Sequence, residues 1–518
     1  AVYYVKNSGD DYASGLSDKT AWRTIGKVNK FTFKNGDEVR FKRGDIFDDA
    51  TLESPGVDNF TIADYGNGMK PLFDGDKIRP IYIKGNIRNI TIRNINISGQ
   101  GRNRKRHDYN LKFKGVIGIT IDGVDGNGIM GSDVGNPGNA SWEYGKDGTD
   151  GDNRNYYWGK DAIGIVKCAG PVVIKNCTLH DWGPNDLPVI NDKGIVIIRI
   201  QEHMKEEGYI KIHNNILYRV NSDTIQMLSS EVPTEIFNNV LHSGGENSID
   251  IKGSSNCKIY RNEFYREKGF GLGGDTGFKK GFDPKTAGSG PIIVIHSYKD
   301  MFSEDIEIYD NYFHNTGHSG SRYAIRLSGN SQRIKIHNNS FKDVKVALCL
   351  KSMAKDVEFF NNVIIDPVMG TDCFRGDCSA IYISNSGNAR NQKIHHNTIY
   401  SSKKNKYLIQ LVKTRGVFIE NNIAYHTNKD KDSFVLIWKG EGEKPIVNCN
   451  IWYNESNLNR IKWDHKSYRS SDHKVWTQAG HSGDLFNDPN FNDIKLKDFS
   501  LKKKVFCNNS EIGAVLVK

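Results

Sequence analysis

The stretch from Gly245 to Asn262 reads GENSIDIKGSSNCKIYRN and sets two charged residues, Asp250 and Lys252, among isoleucines. In a β-strand, successive side chains point to opposite faces. If Ile249 and Ile251 face a core, Asp250 and Lys252 face solvent. A carboxylate and an amine on one surface are groups that acid–base catalysis uses. The first question is therefore what kind of element holds this strand.

Other short strands follow the same alternation, and aligning them by their apolar positions predicts one outward column of side chains. Charges of both signs collect around its middle, where glycines leave space, and such a surface suits an anionic substrate. The column comprises Arg199, Gln226, Asp250, Gly271, His296, Arg326, Cys349, Tyr382, Gln410 and Trp438. A second column, two residues further along each strand, comprises Lys252, Gly273 and Lys351, and nearby charged residues are Glu202, Asp223, His242, Glu246 and Asp275.

A repeated asparagine pattern, apolar-x-apolar-x-x-Asn-x-apolar, indicates how these strands are arranged. Successive members lie 23 to 25 residues apart where no insertion intervenes, as from Asn215 to Asn239. Short strands, turns and this period are typical of a parallel β-helix. We expect the asparagines to stack in a ladder and bond the backbone of the next coil. The predicted ladder is Asn94, Asn176, Asn215, Asn239, Asn262, Asn311, Asn339, Asn362, Asn397, Asn422 and Asn450.

The ends and one interior segment depart from the repeat, and we predict a single domain over 1–518. Residues 1–36 form an N-terminal cap, since SDKTAWRTIGKVNKF has a Ser N-cap signal before an amphipathic segment. Residues 101–160 are a polar loop insertion that carries Trp142 and Trp158, and 454–518 close the C-terminal end. Long loops on a rigid scaffold often bind ligands.

Composition limits the possible binding partners and cellular locations of the protein. The net charge is +10, from 71 Lys and Arg against 61 Asp and Glu, which allows a polyanionic partner. No nucleic-acid module and no apolar run long enough to span a membrane is found, so we expect a monomer that binds an acidic polysaccharide. The start AVYYVKNSG resembles a mature secreted, periplasmic or cell-surface protein.

The eight cysteines do not show the spacing of a metal site. Cys373 and Cys378 flank CFRGDC, a loop that a disulfide would close in an oxidising compartment. We expect the cysteines in apolar strands to be buried thiols; these are Cys168, Cys177, Cys257 and Cys349.

The coil pattern resembles the secreted right-handed β-helix carbohydrate-active enzymes of the pectate-lyase-like superfamily. Within it, SDTIQM, GENSIDIK and KGFGLGGD are faintly similar to polysaccharide lyase family nine. That resemblance implies calcium on aspartates of adjacent coils and a lysine base in the glycine-rich strand. Here Gly271 stands in place of that lysine, and Asn247 in place of one acidic residue. Asp223, Glu246 and Asp250 are the remaining candidate calcium ligands.

Lyase chemistry is the first of three readings. β-Elimination removes the C5 proton of a uronate once a cation has neutralised the adjacent carboxylate. Arg326 and Lys351 are candidates for neutralising it, and Lys252 or His296 for removing the proton. Asp250 favours the charged form of Lys252, which argues against a lysine base. The candidate substrate-binding residues are Arg199, Gln226, His242, Lys351, Tyr382 and Trp438.

Two alternatives stay open. An inverting glycoside hydrolase acting on an anionic or sulfated polysaccharide would need two carboxyl groups roughly 6.5–9.5 Å apart. Asp223, Glu246, Asp250 and Asp275 are candidates for that pair. A non-catalytic carbohydrate-binding solenoid would present aromatic platforms without a charged centre.

Overall fold

The structure is a computed structural model of the 518-residue chain. It describes residues 1–75, 79–99, 109–127, 161–182, 196–203, 208–220, 222–267, 290–316, 323–368, 379–385, 389–403, 407–427, 433–455, 460–494 and 498–514. The described chain forms two compact units, which are treated separately below. The first contains Ala1–Tyr209 and Asn215–Ile225, and the second contains Ile210–Asn214 and Gln226–Lys518. A single domain over 1–518 stays a prediction.

The strands of the first unit are short, as the repeat predicts. They are β1 Val2–Val5, β2 Glu38–Lys42, β3 Ile46–Phe47, β4 Leu52–Glu53, β5 Thr61–Tyr65, β6 Leu72–Asp74, β7 Ile81–Lys84, β8 Arg88–Arg93, β9 Asn96–Ser98, β10 Tyr109–Lys114, β11 Ile117–Asp122, β12 Asp125–Asn127, β13 Asp161–Val166, β14 Ala169–Lys175, β15 Thr178–Trp182 and β16 Ile198–Gln201, followed, after β17 Ile210–His213 of the second unit, by β18 Ile216–Val220.

The second unit continues the series. Its further strands are β19 Ile225–Leu228, β20 Thr234–Phe237, β21 Val240–Gly244, β22 Ile249–Lys252, β23 Ser255–Tyr260, β24 Glu263–Tyr265, β25 Ile293–His296, β26 Ser303–Tyr309, β27 Tyr312–His314, β28 Tyr323–Leu327, β29 Ser331–His337, β30 Ser340–Lys342, β31 Val346–Ser352, β32 Lys355–Phe360, β33 Val363–Ile365, β34 Ser379–Asn385, β35 Arg390–His395, β36 Thr398–Ser401, β37 Tyr407–Thr414, β38 Val417–Glu420, β39 Ile423–His426, β40 Phe434–Gly442, β41 Ile446–Asn448, β42 Ile451–Asn454, β43 Ile461–Trp463, β44 Lys466–Tyr468, β45 Phe491–Asp493, β46 Asp498–Leu501, β47 Phe506–Cys507 and β48 Ser510–Glu511.

Every third strand belongs to the same sheet, so each unit contains three parallel sheets, as a parallel β-helix requires. In the second unit, sheet A runs β17-β20-β23-β26-β29-β32-β35-β38-β41, sheet B runs β21-β24-β27-β30-β33-β36-β39-β42, and sheet C runs β19-β22-β25-β28-β31-β34-β37-β40-β43-β44. The first unit has sheet A as β1-β2-β5-β8-β11-β14, sheet B as β3-β6-β9-β12-β15-β18, and sheet C as β4-β7-β10-β13-β16. The predicted architecture is confirmed.

Inward positions form apolar stacks from coil to coil. Ile236 pairs with Ile259, which pairs with Ile308, then Ile336 and Phe359, and all of these side chains are fully buried. Burying each such side chain stabilises the fold by roughly 1.5–3 kcal/mol. The burial of many such stacked side chains fixes the register between strands, and this register aligns the side chains of the outer face.

The asparagine ladder is confirmed in the second unit from Asn239 to Asn450. The backbone N–H and Nδ2 of each asparagine donate to Oδ1 of the next, as from Asn239 to Asn262 at 3.0 and 2.9 Å. Nδ2 also donates to a carbonyl of the preceding coil, as from Asn339 to Ile308. Asp484 takes the last position and accepts from Asn450 at 2.7 and 3.0 Å.

In the first unit, Asn215 is a ladder residue that accepts from Cys177 N–H and donates to the Ile174 carbonyl. The assignment of Asn94 and Asn176 to the ladder was wrong. Both occupy the left-handed turn position that precedes a ladder residue, with φ of 53° and 55°. Asparagine tolerates that conformation better than most residues, so the same residue type marks both positions.

The N-terminal cap contains the helix α1, Ile25–Lys30, which buries Ile25 and Val28. Thr24, not Ser17, caps it by accepting from Lys27 N–H, while Ser17 caps a 3-10 turn at Asp18–Thr20. Near the C-terminal end lie a second 3-10 turn, Ser470–Asp472, and α2, His473–Gln478. No helix in the described residues is long and apolar enough to span a bilayer.

A disulfide that the sequence did not indicate joins Cys449 to Cys507 and ties the last coils to the closing segment. The predicted buried thiols are confirmed: Cys168, Cys177, Cys257 and Cys349 are buried and belong to no disulfide. Cys373 and Cys378 lie outside the described residues, as do Trp142 and Trp158.

Candidate active site

The centre of the candidate site is Asp250 on β22 of sheet C, in the second unit. Its side chain faces away from the Ile249–Ile251 core, as predicted, but it is 1% exposed and not open to solvent. Lys252 Nζ lies 3.0 Å from Asp250 Oδ2, and Gln226 Nε2 donates to the same oxygen at 3.1 Å. His296 Nε2 lies 3.0 Å from Oδ1. Both carboxylate oxygens are therefore engaged by nitrogen donors.

These donors set the charge state of Asp250. Burial is the largest single influence and raises the pKa of the carboxyl group, but the hydrogen bonds and charges of His296 and Lys252 together outweigh burial. The pKa of Asp250 is therefore held below its usual value, and the group is a carboxylate at neutral pH. Lys252 and His296 are thus the two groups that hold the negative charge of Asp250.

The hydrogen bond also fixes the tautomer of His296. An ionised carboxylate only accepts, so Nε2 of His296 must carry the proton that it donates to Asp250. In the neutral ring, Nδ1 then has a lone pair, and it makes no hydrogen bond to the described residues. The His296 side chain is 31% exposed, against 10% for Lys252 and 1% for Asp250. His296 is thus the most accessible member of the cluster.

Register corrects the predicted columns. β22 pairs with β25 so that Asp250 stands beside Val294 and Lys252 beside His296. His296 therefore belongs to the Lys252 column, not to the Asp250 column. Arg326 follows Val294, and Cys349, Tyr382 and Gln410 continue that column in register.

At the far end of this column the prediction fails for Trp438. Gln410 pairs with Ile437, and Trp438 pairs with Leu411, an inward position. The register shifts between Leu411 and Lys413, and sequence alignment did not reveal this irregularity. Trp438 donates from Nε1 to the Thr414 hydroxyl and packs on Trp463.

Arg326 is placed to receive an anion. Its Nε is buried without a hydrogen-bond partner, and among the described residues its guanidinium makes no ion pair. Leaving a buried N–H unpaired costs about 1–3 kcal/mol. A carboxylate bound to this guanidinium would remove that cost through charge-assisted hydrogen bonds.

Beside Arg326 lies a cluster that includes a residue absent from the predicted site. Tyr323 at the start of β28 packs with Val346, Cys349 and Tyr382 in a group separate from the coil interior. Lys351 Nζ donates to the Tyr323 hydroxyl oxygen at 3.1 Å and lies over the rings of Tyr323 and Tyr382 at 5.2 and 5.4 Å.

Arg199 and His242 lie in different elements. Arg199 is on β16 of sheet C in the first unit, where it is buried and its Nε donates to Asp161 Oδ2 at 2.7 Å. This pair engages the guanidinium with a buried carboxylate. His242 belongs to sheet B, where its ring stacks on Tyr265 at 4.4 Å.

The candidate calcium ligands do not form a cation site among the described residues. The oxygens of Asp250 face an ammonium group, an imidazole and an amide N–H, and calcium requires oxygen ligands. No group of three or more His, Cys, Asp or Glu residues in the described chain is arranged to hold a metal. We derive no step through calcium. Gly271, Gly273 and Asp275 lie outside the described residues.

Comparison with known proteins supports the fold. The model of the right-handed β-helix region matches residues 162–386, and no curated protein sequence matches the chain. Similar solved structures include GH136 lacto-N-biosidase from Eubacterium ramulus, at 16% identity over 77% of this chain and 64% of that chain, with a TM-score of 0.43. This chain thus spans less than two thirds of that protein.

Two further structures have similar values. The A-module of a mannuronan C-5 epimerase from Azotobacter vinelandii is 12% identical over 88% of this chain and 91% of that chain, with a TM-score of 0.43. An alginate lyase from Paenibacillus sp. is 11% identical over 61% of this chain and 92% of that chain, with a TM-score of 0.36. At these identities and scores, the reaction is decided by the site and not by the neighbours. Residues 162–386 therefore match a right-handed β-helix region, in agreement with the parallel coils of the structure.

Proposed function

We propose that this protein is a polysaccharide lyase that cleaves an acidic, uronate-containing polysaccharide by β-elimination. One observation carries the proposal: the half-exposed His296 ring is held at 3.0 Å by the buried Asp250 carboxylate, which Lys252 also contacts. A carboxylate that holds one nitrogen of an imidazole fixes the ring so that the other nitrogen can act as a base. Proton removal next to a carboxylate is the chemistry that such a base performs on a uronate.

The first step requires the C5 proton to become acidic. The Arg326 guanidinium neutralises the uronate carboxylate, which lets negative charge spread into it as the proton leaves. Nδ1 of His296 takes the proton, and Asp250 stabilises the imidazolium that forms. Lys252 acts as a positioning residue, because its ammonium group holds Asp250 ionised instead of removing the proton itself.

The second step breaks the bond from C4 to the glycosidic oxygen. Electrons from the C5–H bond form the C4–C5 double bond, and the leaving oxygen takes a proton. Tyr323 is the proposed acid: its hydroxyl oxygen accepts from the Lys351 ammonium group beside Arg326, and in this step its O–H proton passes to the leaving oxygen. No water is consumed, and the products are a new unsaturated end and a new reducing end.

The hydrolase alternative has less support on this surface. Along the described strands β22, β25, β28 and β31, the outward positions hold Asp250, Lys252, Val294, His296, Arg326, Cys349 and Lys351. Asp250 is the carboxylate in this set, and its oxygens are engaged. An inverting hydrolase needs a second carboxyl group across the bond. The mixed-charge centre also argues against a purely binding solenoid.

The compartment is proposed on separate grounds. The Cys449–Cys507 disulfide is the type of bond that persists in oxidising compartments. We infer that the protein works outside the cytoplasm, where polymeric substrates are found, and that it acts as a monomer.

The test is digestion of a panel of uronate polymers, followed by the ultraviolet absorbance of the new double bond. His296→Ala should reduce the rate at least about 100-fold, the usual loss for a general base. His465→Ala is the matched control, because that side chain is 96% exposed in a pair with Asp464 away from the site. Equal rates for H296A and H465A would remove His296 from the mechanism. Reducing ends without absorbance would point to hydrolysis.

A further inference from the structure

A cavity of about 490 Å³ lies at the corner between sheets C and A of the second unit. Its lining includes three cations, Lys355, Arg390 and Arg415, together with Glu443. A volume of this size is within the range of small-ligand sites, roughly 300–1,000 Å³. The cavity is separate from the Asp250 cluster and is not used in the proposed mechanism.

The charges in this cavity are not balanced. Arg415 Nε pairs with Glu443 Oε1 at 3.2 Å, and Gly416 N–H donates to Glu443 Oε2 at 3.1 Å. That carboxylate is therefore occupied. Lys355 and Arg390 make no ion pair with any residue in the described part of the chain. They are direct partners on the neighbouring strands β32 and β35.

Elsewhere on sheet A, charged residues on adjacent strands have opposite signs. One column alternates in sign through every described coil from β17 to β35: Lys211, Glu235, Lys258, Glu307, Lys335, Glu358 and Lys393. Opposite charges on adjacent strands stabilise a sheet, and like charges directly opposite destabilise it. The Lys355–Arg390 pair belongs to a different column of the same sheet, in which two cations stand directly opposite each other. A bound anion at the cavity would supply the missing negative charge.

The position of the cavity relates it to the candidate active site. Lys355 follows β31, the strand of Lys351, and Arg390 follows β34, the strand of Tyr382. Along the stacked coils, these two coils lie two and three strand spacings from His296 on β25, a distance of roughly 10–15 Å. A polymer lying along the coils at the edge of sheet C would reach the cavity a few sugar units from the cleaved bond.

We propose that Lys355 and Arg390 form a distal subsite that binds an anionic group, a carboxylate or a sulfate ester, of a sugar unit beyond the point of cleavage. This proposal rests on the proposed function for the identity of the ligand as an acidic polysaccharide. Unlike the proposed function, the subsite requires only that the polysaccharide binds, not that it is cleaved. Arg415 and Glu443 form the wall of the subsite.

The test measures binding without turnover. In the H296A background, Lys355→Met and Arg390→Met are combined, and affinity is measured by gel retardation in a polyuronate, a sulfated polysaccharide and a neutral glucan. The matched control combines Lys342→Met and Lys403→Met, which removes two exposed, unpaired cations associated with sheet B. All four positions are at the surface, so melting temperatures should stay close to that of the parent.

The expected result is an affinity for one anionic polymer at least about tenfold weaker in K355M/R390M, because one lost charge-assisted contact is worth roughly a factor of ten. The control variant should bind like the parent. Loss with the polyuronate identifies a carboxylate, and loss with the sulfated polymer alone identifies a sulfate ester.

Unchanged affinity, equal losses in both double variants, or a parent that binds neither anionic polymer would overturn the subsite. Because no catalysis is measured, a protein that binds through Lys355 and Arg390 but shows no elimination would refute the proposed function and leave the subsite standing.

Discussion

Removing the charge of Asp250 should destabilise the protein through Lys252. Asp250→Asn keeps the shape of the side chain but replaces one oxygen with an NH₂ group. Oδ2 now accepts from Lys252 and Gln226, and Oδ1 from His296. An asparagine in either orientation turns a donor toward at least one of these donors. It also leaves Lys252, whose side chain is 10% exposed, without this counterion.

The magnitude follows from the geometry. At 3.0 Å and an effective dielectric constant of about 20, the Asp250–Lys252 attraction is about 5 kcal/mol. Removing one partner of a buried pair typically costs about 3–5 kcal/mol, because the other charge stays buried. We therefore expect D250N to lower the free energy of unfolding by about 3–5 kcal/mol. Lys252→Met alone should cost a similar amount.

The assay is a double-mutant cycle by urea unfolding at neutral pH. The double variant D250N/K252M removes both charges and should cost less than the sum of the single variants, by at least about 1.5 kcal/mol. Additive losses would show that the two side chains do not form a buried pair and would refute this description of the site. A loss below about 1 kcal/mol for D250N would show that the site is hydrated.

Three further predictions concern the acid, the ladder and pH. Tyr323→Phe should fold normally but reduce elimination about 100-fold as the proton donor is lost, and a rate equal to that of the parent would exclude Tyr323 as the acid. Asn339→Ala should lower the unfolding free energy by about 2–5 kcal/mol, since Asn311 N–H and the Ile308 carbonyl lose buried partners, whereas Asn338→Gly, with φ of 55°, should change it little. Burial lowers the pKa of His481 to about 4, so the unfolded chain binds this proton at a higher pH than the folded chain does. The free energy of unfolding should therefore fall by up to about 3 kcal/mol between pH 6.5 and pH 4 on account of His481. Urea unfolding at two pH values should show a smaller acid loss in His481→Gln, and an equal loss would contradict it.

Periodicity was sufficient to predict the coils, because every coil buries apolar side chains at the same inward positions and every ladder asparagine makes the same hydrogen bonds. It also placed Asp250 and Lys252 on one outer face. Alternation does not determine register, however. Val294 and His296 both face outward in IIVIHS, and a shift of two residues satisfies the apolar pattern equally well. His296 does contact Asp250, but the sequence assigned it to the wrong column.

Burial of the outer face could not be predicted either. Asp250 and Lys252 were expected in solvent because a strand pattern carries no information about what covers the face. Arg199 was predicted as a substrate ligand from strand alternation. Its ion pair with Asp161 could not be foreseen, because Asp161 lies 38 residues away, across an insertion. Tyr323 was missed since alternation assigns it to the same side as Ile325. At the start of β28 it packs instead with Tyr382 and Cys349.

The most direct test of the central claim is digestion of a polyuronate in water enriched with heavy oxygen, with product masses read by mass spectrometry. Elimination by His296 and Tyr323 predicts unsaturated fragments that take up no heavy oxygen at the cleaved bond. Saturated fragments with one heavy oxygen at each new end would show that water attacks the bond, and the lyase account would be contradicted.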